Sequence, residues 1–226
     1  MLAAVIFDFD GVIADSEILH LRAFNQMLAQ FQIEITKEQY YRDYLGLSDL
    51  DLLRELSSRG LLEDQERQIE ELAQQKERIF EKLAATESHI IDGVREFLDR
   101  LRDNGIPMAI CSGALAREIE PMLEQAHLRH FFEVIVSAEQ VARGKPHPDG
   151  FVLALDKLNL DRSPSISADQ CVVIEDSHWG LEAAEAAGMH TVAVTNSYDA
   201  EQLSMAEKIV DHLSELSLDE LNALCE

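Results

Sequence analysis

The sequence predicts an α/β protein: a Rossmann-like, doubly wound and mostly parallel sheet with an α-helical domain inserted into it. From about residue 88 onward, short apolar runs alternate with amphipathic segments, a pattern typical of helices that cover both faces of a parallel sheet. Another apolar run lies at the N-terminus, and the residues after it show helical periodicity with almost no strand signal. We therefore predict one core from residues 1–14 and 88–226, and a helical insertion over residues 15–87.

The first predicted strand is the apolar run at residues 2–7, which includes Val5 and Ile6. Asp8, Asp10 and Gly11 follow the run and end it. An apolar run of this length, bounded by acidic residues and glycine, is typical of a buried strand.

The predicted insertion contains two apolar stripes at helical spacing. The first consists of Phe24, Met27, Leu28 and Phe31. The second lies in a predicted helix over residues 63–86 and consists of Ile69, Leu72, Ala73, Phe80 and Leu83. Lys76 interrupts the second stripe. Its side chain either faces the interior or extends its charged end out of the apolar face to water.

The rest of the chain supplies four further apolar runs of strand length. They are Met108–Cys111, Val134–Val136, residues 171–174 and residues 191–194. Helices are predicted between these runs. Asp92 is expected to cap a helix that Asn104 and Gly105 end. Ser217 and Glu220 have the spacing of a capping box for a short final helix.

The charge balance excludes several classes of function. The 226 residues include 43 Asp and Glu against 19 Lys and Arg, which gives a formal net charge of −24. Such a protein lacks the basic face that nucleic acids and anionic membranes require, and no apolar run reaches the roughly 18 residues of a membrane span. The N-terminus lacks the basic segment of a signal peptide.

The three cysteines bear on the location of the protein. Cys111, Cys171 and Cys225 fit neither a disulfide framework nor a zinc site, so we expect a cytoplasmic location.

Chemically active side chains follow three of the predicted strands. They are Asp8 and Asp10 after the first strand, Ser112 and Gly113 after the second, and Glu175 and Asp176 after residues 171–174. Lys145 lies in a turn flanked by glycine and prolines. Because ligands of open α/β sheets bind at the carboxyl ends of the strands, we expect these side chains to meet.

These residue types suit magnesium and phosphate. Mg²⁺ prefers hard oxygen ligands such as the carboxylates of Asp8 and Asp176, together with substrate phosphate. One carboxylate can attack phosphorus to form an aspartyl phosphate, while a second exchanges a proton with the leaving and attacking oxygens. Ser112 can bind phosphoryl oxygens beside backbone N–H groups at a helix start, besides capping that helix. Lys145 can neutralise the crowded negative charge.

Four short motifs together resemble those of the haloacid dehalogenase superfamily. They are residues 8–12 (DFDGV), 112–113 (SG), 145–146 (KP) and 175–177 (EDS), in the order and spacing of that superfamily. More narrowly, the chain resembles the β-phosphoglucomutase and sugar-phosphate phosphatase branch. The resemblance implies a Rossmann-like catalytic core and a helical cap domain that follows the first strand.

The resemblance also implies a role for each motif residue. Asp8 would be the nucleophile and Asp10 the general acid and base. Asp8, the main-chain carbonyl of Asp10 and Asp176 would hold Mg²⁺, with Glu175 supporting the metal. Dehalogenases and phosphonatases of the superfamily lack an acid at the position of Asp10, so this residue favours phosphoryl transfer. Gly113 would help to bind the substrate beside the motif serine.

Substrate selection is expected to lie in the cap domain. His20 and Lys76 fall where related mutases keep a histidine and a lysine that face the active site, although a single helix histidine is more often exposed and inactive. The mutases have an arginine that grips a second phosphate where this chain has Asp49. An acid would repel that phosphate, which favours a phosphatase over a mutase.

We therefore expect a Mg²⁺-dependent phosphatase that hydrolyses a small phosphorylated metabolite, with a sugar phosphate as the expected class, through an aspartyl phosphate. One alternative is a phosphosugar mutase of the β-phosphoglucomutase type. A remoter one is a non-enzymatic phospho-acceptor or signalling module such as a receiver domain, which is shorter and lacks a helical insertion. No nucleic-acid or membrane partner is expected, and the chain is expected to be a monomer or a weak homodimer.

Overall fold

The computed structural model describes residues 1–45, 47–62, 66–84, 86–87 and 89–226. The chain divides into two compact units. The core unit comprises Met1–Asp15 and Ser88–Glu226, and the helical unit comprises Ser16–Glu87. That these units act as a catalytic core and a cap domain stays a prediction. No helix within the described ranges has both the length and the apolar character that crossing a membrane requires.

Strands and helices alternate along the core unit. The strands are β1 (Ala4–Phe7), β2 (Met108–Cys111), β3 (Val134–Val136), β4 (Cys171–Glu175), β5 (His190–Val194) and β6 (Lys208–Val210). The α-helices among the described residues are α1 (Glu17–Leu28), α2 (Lys37–Gln39), α3 (Asp49–Ser58), α4 (Glu66–Ala84), α5 (Val94–Asp103), α6 (Ala116–Gln125), α7 (Asp149–Leu158), α8 (His178–Ala186) and α9 (Leu218–Leu224).

One parallel sheet organises the core unit. Among the described residues its strand order is β3-β2-β1-β4-β5-β6, and every neighbouring pair is parallel. β1 lies between β2 and β4, with Phe7 opposite both Ile110 and Ile174. The side chains that follow β1, β2 and β4 are therefore delivered to one edge of the sheet. The prediction of a mostly parallel α/β sheet is confirmed.

The two faces of β1 pack against different helices, as a period of two residues requires. Ala4 and Ile6 belong to a buried cluster that includes Phe151 of α7. Phe7 points to the opposite face, where its ring meets Phe97 of α5 edge to face at 6.0 Å. The sheet is thus covered on both sides, as the doubly wound prediction requires.

Local sequence signals mark the end of α5 and the start of α9 in the core unit. α5 ends at Asp103, and Gly105 takes φ +67°, as the predicted stop requires. Ser217 accepts a hydrogen bond from the backbone of Glu220 and caps α9, so the capping-box prediction is confirmed. The predicted cap at Asp92 is wrong: α5 begins after Gly93 at φ +84°, and no side chain caps it.

The helical unit has its own apolar core. α1 and α4 pack together, and α3 packs on α4. A π-helical turn, Tyr40–Tyr44, follows α2. The buried side chains of this core are Leu21, Phe24, Met27, Leu28, Ile35, Tyr40, Tyr44, Leu52, Leu53, Leu56, Leu62, Ile69 and Leu72. Both predicted stripes therefore supply the core, although α1 ends at Leu28 and Phe31 lies in a following 3₁₀ turn. Positions 63–65 and 85 of the predicted helix lie outside the described residues.

Candidate active site

Asp8 and Glu175 are joined by one lysine at the carboxyl ends of the two central strands. The backbone N–H of Asp8 donates to Ile174 at 2.9 Å, so β1 and β4 stay paired up to the site. The ammonium group of Lys145 donates to Asp8 Oδ1 and, at 2.5 Å, to Glu175 Oε1. Asp8 and Glu175 are both buried. Asp8, Lys145 and Glu175 lie far apart in the sequence. Asp8 and Glu175 meet because β1 and β4 are neighbours in the sheet.

The electrostatics of this group follow from burial. Burial alone would lower the pKa of Lys145, but the carboxylates of Asp8 and Glu175 raise it well above its usual value, so the lysine is a fixed cation. Its ammonium also lies 5.1 Å from the ring centre of Phe151. Burial raises the pKa of Asp8 to about 7, against the lowering effect of Lys145.

Glu175 is held by groups of its own segment. Its Oε2 accepts from the backbone N–H groups of Asp176 and Ser177, at 3.0 and 3.1 Å, and from the hydroxyl of Ser177 at 2.9 Å. Ser177 in turn accepts from the backbone of Gly180 and caps α8. A Cβ at position 180 would lie 1.7 Å from Glu175 Oε1, so only glycine leaves room for this carboxylate. With both oxygens engaged, Glu175 is a fixed anchor for its neighbours.

The acidic cluster has the composition of a divalent cation site. Asp8, Glu175 and Asp176 are buried, and each offers a carboxylate oxygen within 4.8 Å of the others. Burial, then Glu175 and Asp8, raise the pKa of Asp176 well above its usual value. The three buried carboxylates have one neighbouring cation among the described residues, the ammonium of Lys145. A bound cation would therefore balance negative charge that the lysine leaves over. Hard carboxylate oxygens are the ligands that Mg²⁺ takes.

Asp10 and Ser112 meet at the same sheet edge. The hydroxyl of Ser112 lies 3.3 Å from Asp10 Oδ2 and accepts from the backbone N–H of Ala114 at 3.0 Å. The Ser112 hydroxyl therefore links Asp10 to the backbone that follows β2. The expectation that it also caps a helix is wrong, because α6 begins at Ala116. Gly113 is exposed beside Ser112. Burial raises the pKa of the neighbouring Cys111 thiol to about 12, which removes it as a nucleophile.

The loop after β5 adds contacts that the sequence analysis missed. The hydroxyl of Ser197 donates to Asp176 Oδ2. The side-chain amide of Asn196 donates to the carbonyl of Gly11 at 2.7 Å. Both residues follow the carboxyl end of β5, so the strand-end argument that located three of the four motifs also applies to residues 195–197.

Lys76 lies in a separate polar group inside the helical unit. It is 2% exposed, so the interpretation that it extends to water is wrong. Its ammonium donates to Asp49 Oδ1 and Oδ2 at 2.7 and 2.9 Å and lies 2.6 Å from His20 Nδ1. An ammonium cannot accept a hydrogen bond, so Nδ1 is the acceptor and the ring is neutral. These three contacts match the three N–H groups that a lysine offers.

The surroundings of this group keep His20 uncharged. The His20 ring stacks on Phe80 with centres 4.1 Å apart. Burial, followed by the charge of Lys76, lowers the pKa of His20 well below its usual value. Lys76 also lies over the rings of Phe24 and Phe80, at 4.9 and 5.2 Å. The charges of Asp49 and Lys76 therefore balance beside the neutral His20 ring, and Asp49 and His20 are both partly exposed.

Comparisons with known proteins identify relatives of this chain. A family profile described as haloacid dehalogenase-like hydrolase matches residues 5–194. The phosphorylated carbohydrates phosphatase of Thermotoga maritima is 31% identical over 195 residues, which cover 84% of each chain. The β-phosphoglucomutase of Bacillus subtilis is 29% identical over 225 residues, which cover 98% of this chain and 94% of that protein.

The fold has a close counterpart among solved structures. The crystal structure of CbbY from Rhodobacter sphaeroides in complex with phosphate matches 98% of this chain and 100% of its own, with a TM-score of 0.79 and 26% identity. The matched profile spans most of the core unit and includes all four sequence motifs. The chain belongs to the haloacid dehalogenase-like hydrolase family.

Proposed function

We propose that this protein is a Mg²⁺-dependent phosphatase that hydrolyses a small phosphorylated metabolite, of the sugar phosphate class, through an aspartyl phosphate. The observation that carries the proposal is the buried group of Asp8, Lys145, Glu175 and Asp176 at the carboxyl ends of β1 and β4. The phosphatase from Thermotoga maritima supports the substrate class.

The metal would be held by carboxylates that the core unit presents together. Asp8, Asp176 and the main-chain carbonyl of Asp10 are the proposed ligands, and Glu175 supports them through Lys145 and the backbone of Asp176. When bound, Mg²⁺ supplies positive charge that offsets the repulsion between carboxylate and phosphate. Added positive charge also favours the ionised form of Asp8, whose pKa is otherwise about 7.

The reaction would proceed in two displacements. A carboxylate oxygen of Asp8 attacks phosphorus, the bond from phosphorus to the leaving oxygen breaks, and Asp10 gives its proton to that oxygen. Asp10 then takes a proton from water as the water oxygen attacks the aspartyl phosphate, which releases phosphate and restores Asp8. The contact between Asp10 and Ser112 supports a fixed position for this acid.

Phosphoryl oxygens would be held by groups around Asp8. Lys145 offers a cation that is already fixed by two carboxylates, and such preorganised charge stabilises a transition state effectively. The hydroxyl of Ser112 and the exposed backbone at Gly113 are the proposed further donors. This assignment keeps every group that would contact the transferred phosphoryl group in the core unit.

The helical unit supports a phosphatase over a mutase. A mutase that works through a bisphosphate needs a cationic grip for the second phosphate. In this chain the N–H groups of Lys76 are directed to Asp49 and His20, and Asp49 presents an acceptor. We propose that His20 and Lys76 contribute to substrate binding by fixing Asp49, which would accept hydrogen bonds from hydroxyl groups.

The mutase remains the second candidate, because the relative from Bacillus subtilis matches almost the whole chain.

Purified protein with Mg²⁺ should release phosphate from members of a panel of phosphorylated metabolites, and Asp8→Asn should release none. Equal phosphate release by the two proteins would contradict the proposal. Phosphorus NMR with glucose 1-phosphate isomers and a trace of bisphosphate separates the candidates, since isomerisation faster than phosphate release identifies a mutase.

A further inference from the structure

The loop at residues 195–198, here called the β5 loop, touches two of the site segments. Ser197 donates from its hydroxyl to Asp176 Oδ2. Asn196 donates from its amide to the carbonyl of Gly11, at 2.7 Å. The loop therefore joins the segment after β1 to the segment after β4, although it carries no residue of the four sequence motifs.

Contacts away from the site fix the β5 loop independently. The backbone N–H of Thr195 donates to Val210 at 3.1 Å, and its hydroxyl donates to Asp211 at 2.6 Å. At the other end, the ring of Tyr198 meets His178 and Trp179 edge to face, with centres 5.3 and 6.3 Å apart. Ser197 thus projects from a loop that is held on both sides.

The carboxylate of Asp176 lies in a narrow slot. Asp176 is 4% exposed. A Cβ on Gly11 would lie 1.7 Å from Asp176 Oδ2 and 2.9 Å from the hydroxyl of Ser197. The backbone of Gly11 and the hydroxyl of Ser197 therefore confine the same oxygen, which sets the direction of the other oxygen of this carboxylate.

We propose that Ser197 is a positioning residue for divalent cation binding, acting through the carboxylate of Asp176. This inference rests on the metal dependence in the proposed function. The terminal torsion of an aspartate is broad, so an unrestrained carboxylate must be ordered when the cation binds. Ser197 orders it beforehand, and loss of such an outer partner typically weakens metal binding about 10- to 100-fold.

The test is a calorimetric titration of Mg²⁺ into metal-free protein, with no substrate present. Ser197→Ala removes the hydroxyl that meets Asp176, and Ser197→Thr keeps it. Thr195→Val is the matched control, because it removes a hydroxyl of the same loop that is directed at Asp211. Thermal unfolding without metal checks that each variant is folded.

Ser197→Ala should raise the Mg²⁺ dissociation constant about 10- to 100-fold, whereas Ser197→Thr and Thr195→Val should keep the wild-type value. Wild-type affinity in Ser197→Ala would overturn the proposal. An equal loss in Thr195→Val would also overturn it, because the loop as a whole would then be responsible. The Mg²⁺ affinities are measured without substrate, so they do not depend on the reaction. If the variants show the expected affinities while no phosphorylated substrate is hydrolysed, only the proposed reaction fails.

Discussion

The ammonium group of Lys76 donates to both carboxylate oxygens of Asp49, at 2.7 and 2.9 Å, from a position that is 2% exposed. Asp49→Asn would leave that buried charge without its counter-ion. The carboxylate is one-third exposed, so the loss lies between that of a surface pair and that of a buried pair, about 2 kcal/mol of unfolding free energy. Chemical denaturation at pH 7.5 measures it.

The matched control for this pair is the double variant Asp49→Asn with Lys76→Met. Removing both charges avoids the uncompensated buried cation, so the double variant should be more stable than Asp49→Asn alone. If Asp49→Asn is as stable as the wild type, the contact between Asp49 and Lys76 contributes nothing to the helical unit.

Lys145→Met should lower kcat by about a hundredfold or more, because it removes a preorganised cation from between Asp8 and Glu175. Phosphate release from p-nitrophenyl phosphate with saturating Mg²⁺ measures the effect. Lys157→Met is the control, since the ammonium of Lys157 donates to Gln140 instead, and it should keep wild-type kcat. Full activity in Lys145→Met would remove the lysine from the proposed chemistry.

Gly11→Ala should abolish tight Mg²⁺ binding, because the added Cβ would lie 1.7 Å from Asp176 Oδ2. The alanine must also adopt φ +76°, which costs about 1 kcal/mol. Gly105→Ala separates the two effects: its φ is +67°, and a Cβ there has no neighbour within 4 Å. The control should lose stability and keep its Mg²⁺ affinity in calorimetry. Equal Mg²⁺ affinity in the two variants would contradict the inference that Gly11 leaves room for the carboxylate of Asp176.

Acid should destabilise the protein through His20. The unfolded chain binds a proton on histidine near pH 6.5, whereas burial and Lys76 lower the pKa of folded His20 well below that value. The unfolded state therefore binds more protons, and the unfolding free energy falls as the pH drops below 6.5, by up to about 1.4 kcal/mol per pH unit.

The measurement for His20 is urea denaturation at intervals between pH 5 and pH 8. His20→Gln cannot titrate, so it should show a shallower dependence on pH than the wild type below pH 6.5. Parallel curves for the two proteins would show that His20 does not contribute. Comparing slopes keeps the test independent of any constant loss of stability caused by the substitution itself.

Sequence reasoning succeeded where one strand or helix decides the outcome. β1 to β5 each overlap a predicted apolar run, because parallel strands covered on both faces are mostly apolar. β6 was not predicted, because it begins with Lys208 and contains only two apolar residues, which are too few to stand out as a run. The Asp92 cap failed because Gly93 supplies the helix start through its backbone.

In the site, too, the residues that follow a strand could be predicted, whereas the contacts made across the fold could not. The strand-end rule located Asp8, Ser112 and Asp176, because topology alone brings strand ends together. The partners of Lys76 and the role of Ser197 depend on which side chains meet across the fold. A charged residue on an apolar stripe predicts that a partner exists, but periodicity cannot identify Asp49 as that partner.

The two ends of the helical insertion leave and re-enter the core unit side by side. Ala14 forms an antiparallel bridge with Ile90, Asp15 donates to His89 at 2.8 Å, and Ile91 donates to Ile13 at 3.0 Å. Backbone hydrogen bonds therefore hold the two ends of the insertion together, whatever residues lie between them. The length and sequence of the insertion can change, in evolution or by design, without shifting the register of β1 against its neighbours. Under the proposed function, the choice of metabolite can therefore evolve separately from the chemistry performed on it.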